Sequence, residues 1–137
     1  MFLNVIIMKI DHLALWCDDL ERMKAFYMQY FGCTANALYH NPKKGFKSYF
    51  LAFGEGGARI ELMKRTDITE EPLHRGFMKG IAHFDIVVGT EEDVNTLHHR
   101  LLADGYTIAS PLRHTGDGYY EFAVLDPEGN YVEVSAE

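Results

Sequence analysis

Two histidines and two glutamates stand in matching places along this chain: His12 and Glu61, then His83 and Glu133. His12 and Glu61 are 49 positions apart and His83 and Glu133 are 50 apart, each in an apolar, β-rich stretch. Two neutral imidazoles with two carboxylates form a mixed nitrogen and oxygen donor set. Such a set suits a divalent first-row ion with open positions, with Ni, Co, Zn, Mn and Fe all compatible, and not a closed thiolate zinc centre. An ion held there would polarise a carbonyl or enolate oxygen and acidify bound water. Taken singly, a strand His or Glu is ordinarily structural or wet; four in register point to a metal site.

The elements that must position these four repeat as well. Ile10-Asp11-His12-Leu13-Ala14-Leu15 returns as Ile81-Ala82-His83-Phe84-Asp85-Ile86, and Phe50-Leu51-Ala52-Phe53 followed by Arg59-Ile60-Glu61-Leu62 returns as Phe122-Ala123-Val124-Leu125 followed by Tyr131-Val132-Glu133-Val134. The first copy reads as a strand over 9–16, a helix capped by Asp18 or Asp19 and ended by Gly32, a loop-like stretch over 36–46 with a short strand near 34–40, and strands over 47–53 and 58–64 joined by Gly54-Glu55-Gly56-Gly57. The second reads as a strand over 81–88, a helix over about 91–104 capped by Thr90 and ended by Gly105, and strands near 106–109, 119–125 and 131–135, the last two joined by Asp126-Pro127-Glu128-Gly129-Asn130. The chain thus divides into an N-terminal extension (1–8), a first module (9–64), a polar linker and candidate lid (65–79) and a second module (80–137).

Alternation decides which side chains are free for chemistry. With Leu13 and Leu15 against a helix, His12, Ala14 and Trp16 face the other way. Arg59, Glu61 and Met63 share that free face, as do His83, Asp85 and Val87, and Tyr131, Glu133 and Ser135. Two such sheets folded toward each other would enclose a cavity with the four ligands at its floor. Trp16, Arg59, Met63, Asp85, Arg113 and Tyr131 are the candidate pocket residues, with Asp85 placed to orient a ligand. His98 and His99 are expected on the solvent side of their helix. His74 and His114 fall in loops, and Tyr119-Tyr120-Glu121 can turn one or two side chains into the cavity.

At 137 residues and 47% hydrophobic content the chain fits one compact domain. A net charge of −7 argues against a nucleic-acid surface. Cys17 and Cys33 make no C-x-x-C and read as reduced, buried thiols of a cytoplasmic protein. The apolar start Met1-Phe2-Leu3-Asn4-Val5-Ile6-Ile7 is too short to span a bilayer and lacks a signal peptide's basic region and cleavage site; Met8 is a possible alternative start.

These residues resemble the vicinal oxygen chelate superfamily, which includes glyoxalase I, bleomycin-resistance proteins and extradiol dioxygenases. The resemblance covers 9–136 and rests on His12, Glu61, His83, Glu133 and the Asp126–Asn130 turn. It implies an α+β fold of two tandem βαβββ modules in a curved eight-stranded mixed sheet, helices on the convex face, and a homodimer that completes or shapes the site. The His, Glu, His, Glu set is similar to that of glyoxalase I. That implies a divalent-metal-dependent lyase or isomerase moving a proton beside a carbonyl of a small-molecule substrate, with Glu133 as mobile base and Glu61 either returning the proton or acting on the opposite stereochemical face. Trp16 stands where glyoxalase I has an Arg that helps hold the glutathione carboxylate, and Arg65 where it has an Asn. Losing the Arg removes a bidentate carboxylate clamp and speaks against glutathione. The rivals are a metal-free, drug-sequestering protein of the bleomycin-resistance kind and a related metal-dependent epimerase or dioxygenase.

Overall fold

The computed structural model describes residues 7–137; residues 1–6 of the expected N-terminal extension lie outside the described residues. The first half runs β1 (His12–Trp16), α1 (Leu20–Phe31), β2 (Thr34–Ala35), β3 (Tyr39–Asn41), β4 (Phe46–Ala52) and β5 (Arg59–Arg65). The second runs β6 (Phe84–Gly89), α2 (Glu91–Ala103), β7 (Ile108–His114), β8 (Tyr120–Leu125) and β9 (Tyr131–Ala136). The fold is α+β, with two mixed sheets. β1-β5-β4-β2, with β3 also on β4, forms one, and β6-β9-β8-β7 forms the other. The expectation of eight strands in one sheet therefore differs from the described residues, which hold nine strands in two sheets.

Each half begins with the same device. β1 pairs in parallel with β5, and β6 with β9, so the first strand is delivered by a helix to the edge beside the last. α1 starts at Asp19, whose side chain accepts from the Arg22 N–H, and ends at Gly32, which adopts the left-handed conformation. α2 starts with a reciprocal Thr90–Asp93 capping box.

Three strand boundaries depart from the sequence reading. The loop-like stretch over 36–46 contains β3 and a 3₁₀ turn at Pro42–Lys44. β6 begins at Phe84, one residue after His83. β7 extends to His114 through Pro111, where the ladder to β8 slips twice. As an edge strand β7 can carry a residue with no N–H to donate.

The helix-facing sides of both sheets drain into one shared core. Leu51, Ile60 and Leu62 of the first sheet and Phe122, Val124, Val132 and Val134 of the second are buried in it. Aromatic rings on α1 bridge the halves: Phe26 lies 5.0 Å and Tyr30 5.3 Å from Tyr106, and Tyr27 lies 6.3 Å from Phe84. The Asp126–Asn130 turn adds a polar latch. Asp126 accepts from the buried Tyr27 hydroxyl at 2.7 Å, and the Glu128 carboxylate accepts the N–H groups of Asp18 and Asp19 at 2.7 and 2.9 Å. A turn in the second half thus caps the entry to α1 in the first.

His98 does not point to solvent. It is half-buried, its ring 5.0 Å from Phe122, on the stripe Val94–Leu97–Leu101 that packs α2 to its sheet. Cys17 and Cys33 are free and buried, and burial pushes their thiols up to about 12 and about 11. No helix among the described residues is long and apolar enough to cross a membrane.

Candidate metal centre

Burial follows the expected alternation. In β1, His12, Ala14 and Trp16 are exposed and Leu13 and Leu15 half-buried; in β5, Ile60 and Leu62 are buried between the half-buried Arg59, Glu61 and Met63. β6 and β9 repeat the pattern, with Val132 and Val134 buried around Glu133, except that Ser135, expected to be free, is buried beneath Asp85, to which its hydroxyl donates.

The free faces build two His–Glu pairs. His12 Nε2 lies 3.7 Å from Glu61 Oε1, and His83 Nε2 lies 3.3 Å from Glu133 Oε1. Two donors each about 2.1 Å from one ion sit roughly 3.0–3.4 Å apart, so one pair has that spacing and the other exceeds it by a few tenths of an ångström. The other nitrogen of His12 completes the arrangement. Nδ1 is 2.8 Å from Asp11 Oδ2, which leaves the Nε2 lone pair toward Glu61 when Nδ1 carries the proton. Asp11 also receives Arg59 at 2.7 Å, and the two contacts hold its carboxyl down at about 2.

The two pairs do not meet within one chain. Among the described residues, the only group of three or more such side chains with ligand atoms within 4.8 Å of one another is Asp85, Glu121 and Glu133. Glu133 lines a cavity of about 710 Å³ with Asp85, Arg113 and Glu121, whereas His83 lines one of about 330 Å³ with Trp16 and Tyr131. His12 and Glu61 line neither.

The acidic trio brings in a residue whose face could not be assigned from the sequence. Glu121 is only 6% exposed and contacts Arg113 at 3.5 Å. The equal spacings in the repeat align Phe50 with Phe122, but Glu61 pairs with Phe50 while Glu133 pairs with Ala123. The β4–β5 turn has six residues and the β8–β9 turn five, so the partner strand slips by one. Phe50 therefore faces the site, in contact with His12, whereas Phe122 is buried in the core. Counting back from the five-residue turn puts Glu121 on the Glu133 face.

Burial first, then contact with Glu121, pushes the Glu133 carboxyl up against the pull of His83. Burial likewise raises Asp85, although its oxygen accepts from the Ser135 hydroxyl at 2.6 Å. Of the other pocket candidates, Arg59 lies over the Phe50 ring at 4.4 Å, Met63 is half-buried beside Trp16, and Tyr131 lies 5.8 Å from His83. His114 is held by Glu91 at 3.2 Å.

The model of the Glyoxalase/Bleomycin resistance protein/Dioxygenase superfamily matches residues 9–134, nearly the whole described chain. The chain belongs to that superfamily. A trypanothione-dependent glyoxalase I of Leishmania major shares the fold, with a TM-score of 0.77 at 22% identity over 96% of this chain and 88% of that one. A lactoylglutathione lyase of Agrobacterium tumefaciens matches with a TM-score of 0.63 at 26% identity, over 93% of this chain and 92% of that one. An uncharacterized protein of Pseudomonas aeruginosa is 27% identical over 92% of this chain and 86% of its own length.

Proposed function

We propose that this superfamily member is a divalent-metal-dependent lyase or isomerase, working as a homodimer on a small-molecule carbonyl compound. The observation that carries the reading is the pair of His–Glu contacts, repeated on two sheets at spacings close to those of ligands sharing one ion. Because the pairs stay apart in one chain, the site forms between copies, with His12 and Glu61 of one and His83 and Glu133 of a second.

The charges of the two faces favour that pairing. The first face carries Arg59 and Arg65, paired with Asp11 and Asp67, beside Glu61, Phe46, Phe50 and Trp16; the second carries Asp85, Glu121 and Glu133 with Arg113. First face against second face sets a charge-balanced surface on the acidic one, whereas second against second would oppose two sets of carboxylates.

His12 Nε2, Glu61, His83 Nε2 and Glu133 would hold the ion, which when bound draws electron density from a substrate oxygen and acidifies the neighbouring C–H. Glu133 takes that proton on its carboxylate. Its buried setting makes it a stronger base than an exposed carboxylate, as the role requires. Glu133 then delivers the same proton to the neighbouring atom, while Glu61, across the site, stays as a ligand. Asp11 holds His12 in one tautomer and orientation.

The test is metal content by mass spectrometry of tag-free protein beside His12→Ala. Stoichiometric divalent metal that disappears in the variant supports the reading and leads to solvent-deuterium exchange assays on 2-oxoaldehyde adducts. Absence of metal after Ni, Co, Zn, Mn and Fe have each been supplied would transfer the assignment to a ligand-sequestering protein.

A further inference from the structure

The halves share their His–Glu pair, but one free face carries something the other lacks. At the far end of β1 from His12, Trp16 makes an edge contact with Phe46, ring centroids 6.4 Å apart at 90°, and Phe46 meets Tyr39 at 6.1 Å. The Arg65 guanidinium lies over the Trp16 ring at 5.1 Å, its Nε bound to Asp67 Oδ1 at 2.5 Å. Trp16 is nevertheless 39% exposed.

In the second sheet Val87 takes the register position of Trp16, and two residues past Glu121 and Ser135, the last pair of the β8–β9 ladder, come Tyr119 and Glu137 in place of Phe46 and Arg65. The fold therefore does not require an aromatic notch with a cation here, and the repeated ligand set does not either. Between the notch and the His12–Glu61 pair the face is floored by Ala14, Ser48 and Met63, with no ionisable group among them. Four residues along a strand put Trp16 roughly 13 Å from His12.

We propose that Trp16, Phe46 and Arg65 form the substrate-recognition subsite, taking a flat ring that bears an anionic group. The assignment rests on the metal-dependent reading for its place in the reaction. Two rings in an edge contact leave a corner that a third ring fills with its face or edge. A guanidinium 5.1 Å over the indole, with Nε already engaged by Asp67, keeps its Nη groups for a carboxylate. The substrate is thus an elongated molecule with its reacting carbonyl at one end and an aryl carboxylate or similar group at the other. A thiol tripeptide has no flat ring for this corner.

Trp16 is the only tryptophan of the chain, so it contributes a single indole N–H cross-peak in a nitrogen-15 NMR spectrum. The titration uses 2-naphthoate against two probes that each lack one feature, 2-naphthylmethanol without the charge and cyclohexanecarboxylate without the plane. Naphthoate is expected to move the indole peak saturably, with each control binding about fivefold or more weakly. Arg65→Gln should weaken naphthoate by about fivefold and leave 2-naphthylmethanol unchanged. Thermal melts confirm that the variant folds.

Equal affinities for naphthoate and cyclohexanecarboxylate, no effect of Arg65→Gln, or a stationary indole peak would each overturn the proposal. A peak that moves on dilution but not with naphthoate would show the notch filled by a second copy, and would overturn it too. The titration is run on metal-free and metal-loaded protein. Naphthoate failure with metal binding intact sinks the subsite alone, and naphthoate binding without any metal site sinks the reaction alone.

Discussion

Around Glu61 the neighbouring strands offer Ala14 and Ser48; around Glu133 the same register positions hold Asp85 and Glu121. One His–Glu pair therefore sits beside aromatic rings and the Asp11–Arg59 ion pair, and the other sits in a half-buried nest of carboxylates with Arg113 at its edge. The two halves keep the same His and Glu types on matching faces, while the residues that set their electrostatics differ. That difference separates the two glutamates by environment. Glu133 is the one pushed toward proton affinity and Glu61 the one suited to stay as a ligand.

The sharpest way to break this comparison is to remove each carboxylate in turn. Glu133→Gln should lower kcat by about a thousandfold while retaining weakened metal binding, and Glu61→Gln should act mainly through loss of metal. Equal effects on turnover at saturating metal would erase the distinction between the two.

A second contrast concerns how the halves are joined. Tyr27 donates to Asp126 from within the core, while the matching place on α2 holds His98, with its Nδ1 buried and unpartnered among the described residues. Tyr27→Phe leaves the buried Asp126 oxygen short of a donor and should cost about 1–2 kcal/mol, read as a melting temperature lower by roughly 3–6 °C. Glu128→Ala should cost a similar amount by freeing the Asp18 and Asp19 N–H groups.

Making the second face resemble the first should stabilise the metal-free protein. Glu121→Gln relieves like-charge crowding in the trio and keeps an acceptor for Arg113, so the apo melting temperature should rise by roughly 2–4 °C. A fall would mean that the Arg113–Glu121 contact outweighs the crowding.

The smallest effect is at His98. Burial first, then His99, lowers its pKa below 6.5, so the unfolded chain binds a proton there that the folded chain refuses. Stability at this site is present above pH 6.5, falls as pH drops through that value, and levels off below the folded pKa. His98→Leu should flatten that portion of the melting temperature against pH profile. An unchanged profile would remove His98 as its source.

Much of this was legible in the sequence because alternation is a local property. The inward set Leu13, Ile60, Leu62, Val132 and Val134 and the free positions of His12, Glu61 and Glu133 follow from counting by two. The caps were legible from residue type, Thr90 outright and Asp19 as one of two neighbouring candidates. What stayed open is where one residue in a turn carries forward. The five-residue β8–β9 turn, compared with six in β4–β5, sets Phe122 in the core and decides that Glu121 of the stretch Tyr119-Tyr120-Glu121 lies beside Glu133. His98 was misjudged because its charge type suggested water, although its spacing from Val94, Leu97 and Leu101 belongs to the packed stripe. The latch between Glu128 and the start of α1 spans more than a hundred residues, and no local pattern announces such a contact. The separation of the two His–Glu pairs depends on how the halves share their core, which periodicity does not encode.

The central claim is that each metal site takes one His–Glu pair from each of two copies. It is tested most directly by combining two variants, His12→Ala and His83→Ala, in purified, differently tagged heterodimers. Each homodimer lacks a histidine in every site and should bind metal weakly. In the heterodimer one site loses both histidines and the other keeps His12 from one copy and His83 from its partner, so the account predicts one full-affinity ion per dimer. Heterodimers that bind no better than either homodimer would contradict it.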